Sequence, residues 1–107
     1  MAVDEVFRAL ADPTRRRVVA RLTRGDASVS ELAAPFDMAL PSFVQHLSVL
    51  EQCGVVRSTK TGRVRTFKLV PKRLKVVEDW LAAQRDMWEQ RADRFERYVT
   101  DLERNAR

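Results

Sequence analysis

The chain has 107 residues, with one cysteine, Cys53, and one histidine, His46. A zinc centre needs about three or four thiolate, imidazole or carboxylate ligands, so this pair predicts no metal site. A nucleophilic Cys–His couple fares no better. Seven residues of helix bring both side chains to roughly one side but hold them ~10 Å apart along the axis. Cys53 falls where a helix ends rather than where one begins, and it reads as a buried packing thiol rather than a redox sensor. The three glycines stand alone at positions 25, 54 and 62, so no glycine-rich loop is present to cradle a phosphate. The sequence predicts no catalytic residue, no cofactor and no enzyme.

The residues suited to recognition lie in residues 41–50, Pro-Ser-Phe-Val-Gln-His-Leu-Ser-Val-Leu. Phe43, Val44, Leu47 and Leu50 recur at helical spacing and predict one buried stripe. The other face carries Ser42, Gln45, His46 and Ser48, short donors and acceptors that can touch base edges in a major groove. Pro41 suits a first helical turn, and Leu40 before it can pack on a thymine methyl. A second short helical pattern over residues 30–36 lies just upstream and is closed by Pro35-Phe36-Asp37-Met38. Two short helices joined by a tight turn, the second with a polar outer face, predict a helix-turn-helix.

Charge points to the same partner. The net charge is +5. Residues 1–39 balance six arginines against six acids, and residues 69–107 are nearly neutral. The excess sits in residues 57–68, where Arg57, Lys60, Arg63, Arg65 and Lys68 meet no acid. A localised basic segment is the footprint of a polyanion. Val55 to Lys60 and Arg65 to Val70 are rich in β-branched residues and bracket Thr61-Gly62, so this segment predicts a β-hairpin with glycine at its tip. Alternation would put Arg63 and Arg65 on one side of the ribbon. With Lys60, Thr61 and Gly62 they make a wing for a minor groove or flanking phosphates.

The remaining elements must position these groups. Residues 4–10 predict a short helix with Val6, Phe7 and Leu10 on one side. Asp12 and Pro13 predict the start of the next helix, as N-cap and first helical residue, with Val18, Val19 and Leu22 inward and an end near Gly25. Arg15 and Arg16 on it are open to two readings, a phosphate contact or ion pairing on the helix surface. Ser28 and Glu31 have capping-box spacing, and Leu32, Ala33 and Phe36 follow as inward residues. Ala39 cannot cap the recognition helix through its side chain. Gly54 suits the left-handed position after that helix.

After Pro71 an uninterrupted helix is predicted to about Glu103. Leu74, Leu81, Trp88, Phe95 and Leu102 recur every seven residues, over ~45 Å of helix. A stripe that outruns its own core implies a partner helix, most simply the same helix of a second subunit. A fold-back near residues 84–86 is the alternative. The chain divides into a DNA-binding unit, residues 1–70, and a dimerisation helix, residues 71–107. No apolar run reaches the ~18–20 residues that span a bilayer. The start lacks the pattern of a signal peptide, and one cysteine suits a reducing compartment. The expected location is therefore the cytoplasm, with no membrane partner.

The sequence resembles the ArsR-type winged-helix repressors over nearly its whole length. The resemblance is carried by Phe7-Arg8-Ala9-Leu10-Ala11-Asp12-Pro13-Thr14-Arg15-Arg16, Ser30-Glu31-Leu32-Ala33, Gln45-His46-Leu47-Ser48-Val49-Leu50-Glu51, Gly54-Val55-Val56 and Gly62-Arg63-Val64-Arg65-Thr66-Phe67-Lys68-Leu69. It is similar above all to the branch with Leu-Pro at the recognition helix and a tryptophan-rich last helix, here Leu40-Pro41, Trp80-Leu81 and Trp88. The resemblance implies a mainly α fold with a two-stranded β wing and a long C-terminal dimerisation helix. It further implies a homodimer joined through the first and last helices, with Val6, Phe7, Leu81, Trp88, Phe95 and Leu102 as interface residues, and repression at a palindromic operator on double-stranded DNA. Metal-sensing relatives carry a Cys-x-Cys-type motif on the third helix or carboxylates and histidine on the last. Here the former region reads Ser28-Val29-Ser30-Glu31-Leu32, and the last helix has no histidine. Two other readings stay open: a protein-interaction module on a winged-helix scaffold, or a regulator answering an unknown effector through Trp80 and Trp88 or through Cys53.

Overall fold

A computed structural model describes residues 2–106. Its order is α1 (Ala2–Leu10), α2 (Pro13–Leu22), β1 (Ala27–Ser28), α3 (Val29–Ala33), α4 (Leu40–Gln52), β2 (Val56–Thr61), β3 (Val64–Leu69) and α5 (Pro71–Asn105). The helices begin and end where local chemistry directs. Asp12 accepts from the Arg15 amide at 3.0 Å and caps α2. Ser28 and Glu31 exchange both bonds of a capping box at α3. At the end of α4 the Val55 amide reaches back to the Leu50 carbonyl and the Gly54 amide to that of Glu51. This is a Schellman closure, and Gly54 adopts the φ of +84° that it requires.

The sheet has three strands rather than two, in the order β1-β3-β2 and antiparallel throughout. Ala27 and Ser28 pair with Phe67 and Thr66. The third strand is only two residues long, too short to leave an alternation in the sequence. Gly62, at φ +63°, takes the first central position of a two-residue turn, with Thr61 and Val64 as the closing pair. Positive φ there followed by a non-glycine residue is the II′ arrangement, which matches the twist of the flanking strands.

The core gathers one stripe from each element: Val6 and Ala9 of α1, Val18 and Leu22 of α2, Leu32 of α3, Phe43, Leu47 and Leu50 of α4, with Val55, Val56 and Phe67. Two expectations are corrected. Val6 is fully buried in this core and is unavailable to a second subunit. The inner stripe of α1 is Val3, Val6 and Ala9, about 100° around from Phe7. Val44 is 41% exposed instead of buried, because Phe43, Leu47 and Leu50 already fill the inward face of α4.

The chain forms two compact units, the first ending at Val77 and the second starting at Glu78. The first turns of α5 belong with the head, since Leu74 and Val77 pack against its core. Arg73 donates to the Cys53 carbonyl at 2.7 Å and lies 3.7 Å from Glu5. One guanidinium thus joins α5 to the end of α4 and to α1. From Glu78 onward α5 stays helical to Asn105 without a fold-back. Among the described residues no helix is long and apolar enough to cross a membrane.

Candidate nucleic-acid interface

Burial of Phe43, Leu47 and Leu50 fixes the rotation of α4. At about 100° per residue, Gln45 then stands roughly opposite Phe43. Pro41, Ser42, Gln45 and Ser48 are exposed, as expected of a reading face. Leu40, at the first helical position, is 55% exposed. Val44 follows one turn later, so an apolar pair flanks the polar residues. Sequence reasoning missed Val44, although it lies off the axis of the stripe that the other three apolar residues define. The N-cap Ala39 makes no side-chain bond to the first turn. No acidic residue appears on α4 before Glu51.

His46 is held differently from its neighbours. Its side chain is 23% exposed, and Nδ1 faces α2, 3.2 Å from Arg15 Nη1 and 3.7 Å from Asp12 Oδ2. Burial raises the Asp12 carboxyl, but the Arg15 amide and the charges of His46 and Arg15 outweigh it and hold the group below its usual value.

Arg15 and Arg16 of α2 both turn to backbone carbonyls. Arg15 donates to the carbonyls of Ala9 and Arg8 at 2.6 and 3.2 Å. Arg16 donates to those of Leu10 and Ala11 at 2.8 and 3.0 Å. Both therefore close the C-terminal end of α1, where carbonyls lack helical partners. Arg17 lies 4.3 Å over the ring of Phe36.

The wing carries its charge on both faces. Register partners share a face in an antiparallel pair, and here Lys60 is opposite Arg65 and Arg57 is opposite Lys68. All four are exposed, as are Thr61, Gly62 and Arg63. Arg63 sits in the turn rather than in β3, so strand alternation does not govern it. Arg65 donates to the Ser58 hydroxyl at 2.8 Å, and that hydroxyl donates to Glu51. This relay ties the wing to the end of α4.

Cys53 is buried and donates to the Leu50 carbonyl, as a packing thiol does. Among the described residues no group of three His, Cys, Asp or Glu side chains is placed to hold a metal ion.

A helix-turn-helix domain family model matches residues 10–59, from the end of α1 into β2. The chain is 33% identical to the transcriptional repressor SdpR of Bacillus subtilis over 67 residues, which are 63% of this chain and 74% of that protein. It is 40% identical over 68 residues to the HTH-type transcriptional regulator Rv2034 of Mycobacterium tuberculosis, 64% of each chain. Among solved structures, the ArsR family transcriptional regulator RHA00566 is 54% identical, with a TM-score of 0.81 over 83% of this chain and 98% of that one. The chain belongs to the ArsR family. As an ArsR-family transcriptional regulator it has the winged helix-turn-helix fold, with α3 and α4 as the helix-turn-helix and β2–β3 as the wing. An ArsR-like regulator from Rhodococcus sp. RHA1, 29% identical with a TM-score of 0.77, matches 90% of this chain.

Proposed function

We propose that this regulator represses transcription as a homodimer on a palindromic operator. Each α4 enters a major groove, and each wing meets flanking phosphates or the adjacent minor groove. The observation that carries the reading is the exposed, acid-free outer face of α4 beside a hairpin with five exposed cations and no acid. Gln45, His46 and Ser42 read base edges. Leu40 and Val44 supply apolar contact to thymine methyls. Lys60, Arg63 and Arg65 hold backbone.

The dimer rests on α5. Leu81, Trp88, Phe95 and Leu102 are each more than half exposed, and a heptad stripe of this size is covered by a partner helix in water. Two-fold pairing would set the two reading helices about 34 Å apart, one turn of the duplex. The cytoplasm is the compartment where such a regulator meets DNA. The test is a salt titration. With about three to five phosphate contacts per subunit, log affinity should fall with log salt at a slope between roughly −5 and −9. A slope near zero rejects the assignment.

A further inference from the structure

His46 lies on the proposed reading helix but is tied down from behind. Its Nδ1 is 3.2 Å from Arg15 Nη1, and a guanidinium can only donate. Nδ1 must therefore present its lone pair to Arg15, and the neutral ring carries its proton on Nε2. Arg15 cannot easily turn away. Its Nε is fixed by the Ala9 carbonyl and its Nη2 by that of Arg8. Nε2 has no hydrogen-bond partner among the described residues, and no buried side-chain nitrogen is left unpartnered. Nε2 therefore opens to solvent, at the edge of the face that exposes Ser42 and Gln45.

We infer that Arg15 is a positioning residue that locks His46 as an Nε2–H donor, against the pull of the Asp12 carboxylate 3.7 Å from Nδ1, making His46 a specificity residue for a guanine edge. A fixed donor selects an acceptor. Guanine presents only acceptors, N7 and O6, in the major groove, whereas cytosine presents a donor and adenine presents one of each. The inference rests on the proposal that α4 reads bases, but the lock itself is a property of the free protein.

The test has two arms. The chain holds one histidine, so a long-range proton–nitrogen correlation spectrum at about pH 8.5, above the ordinary histidine range, reports His46 alone. The Nε2–H form should dominate in the wild type, and Arg15→Met should give a mixture. An Nδ1–H form or a mixture in the wild type overturns the lock, with no variant needed. In the second arm, bound DNA is selected from a random pool. One guanine position in each half-site should lose about tenfold of its preference in His46→Ala, and His46→Gln should admit adenine there. An unchanged selection, or equal weakening on all sequences as for a phosphate contact, overturns the specificity role. If the wild type binds no DNA, the DNA reading itself fails; the tautomer arm uses no DNA, so the two failures are told apart.

Discussion

Lys60 and Arg65 are register partners across the β2–β3 hairpin, two exposed cations facing the same way on adjacent strands. Directly opposed like charges destabilise a strand pair, and among the described residues only Arg65 of the two has a hydrogen-bond partner, Ser58. An external anion would remove the conflict. Lys60→Glu should therefore stabilise the hairpin by about 0.5 kcal/mol while weakening DNA binding. Thermal unfolding and DNA titration of one sample check both signs. A variant that loses stability, or binds DNA as tightly as before, contradicts the assignment of the wing.

The wing and the reading helix should fail in different ways. Arg63, at the hairpin tip, makes no hydrogen bond or ion pair among the described residues, so Arg63→Ala leaves the fold alone. It should weaken binding to all sequences alike and reduce the salt slope by about 1. Gln45→Ala should instead change which bases are preferred at its position. Arg65→Ala should combine weaker binding with a looser wing, because Arg65 also anchors Ser58 and, through it, Glu51. Identical behaviour of Arg63→Ala and Gln45→Ala in salt titrations on operator and random DNA would erase this division.

What the sequence made legible follows the range of the interactions. Asp12, the Ser28–Glu31 box and Gly54 act within one turn of helix, and their spacing alone identifies them. The inward stripe of α4 was legible in Phe43, Leu47 and Leu50 but overextended to Val44, because an apolar residue beside a stripe looks like part of it. Val6 was drawn outward by the family resemblance, although its own subunit needs it. The fates of Arg15, Arg16 and Arg73 were hidden. A cation that closes a distant helix end leaves no periodicity, and only the packing of α2 on α1 and of α5 on α4 reveals the carbonyls. The same holds for His46, whose ring nitrogen turns inward only because α2 delivers Asp12 and Arg15 to it.

Asp12 supplies a pH dependence. Its folded carboxyl lies below the ordinary value of 3.8, because the Arg15 amide and the nearby positive charges overcome the effect of burial. The stabilisation is therefore fully present above that value and disappears as pH falls through the lower, folded one. Asp12→Ala should cost about 1 kcal/mol at neutral pH through the lost N-cap. Asp12→Asn keeps a capping oxygen but cannot titrate. Its stability difference from the wild type should shrink as pH falls through the folded value. Urea unfolding across the acid range tests this, and a difference that grows toward low pH would reverse the sign.

The exposed stripe of α5 gives the sharpest separation of folding from assembly. Trp88 and Phe95 are 68% and 66% exposed and take no part in the core of the head. Replacing both with Glu should leave the α1–β3 head folded, with unchanged helix-turn-helix amide signals. The pair sits one heptad apart at the centre of the stripe, so two acids there would meet two more across a two-fold axis. Light scattering at micromolar concentration should show a dimer for the wild type and a single subunit for the variant. DNA binding should fall on a full palindrome, because the second half-site is no longer engaged at the high effective concentration that a linked subunit provides. On an isolated half-site both proteins should bind comparably and weakly. If the variant remains a dimer, another surface joins the subunits. If the wild type is itself a single subunit, the palindromic geometry has no basis.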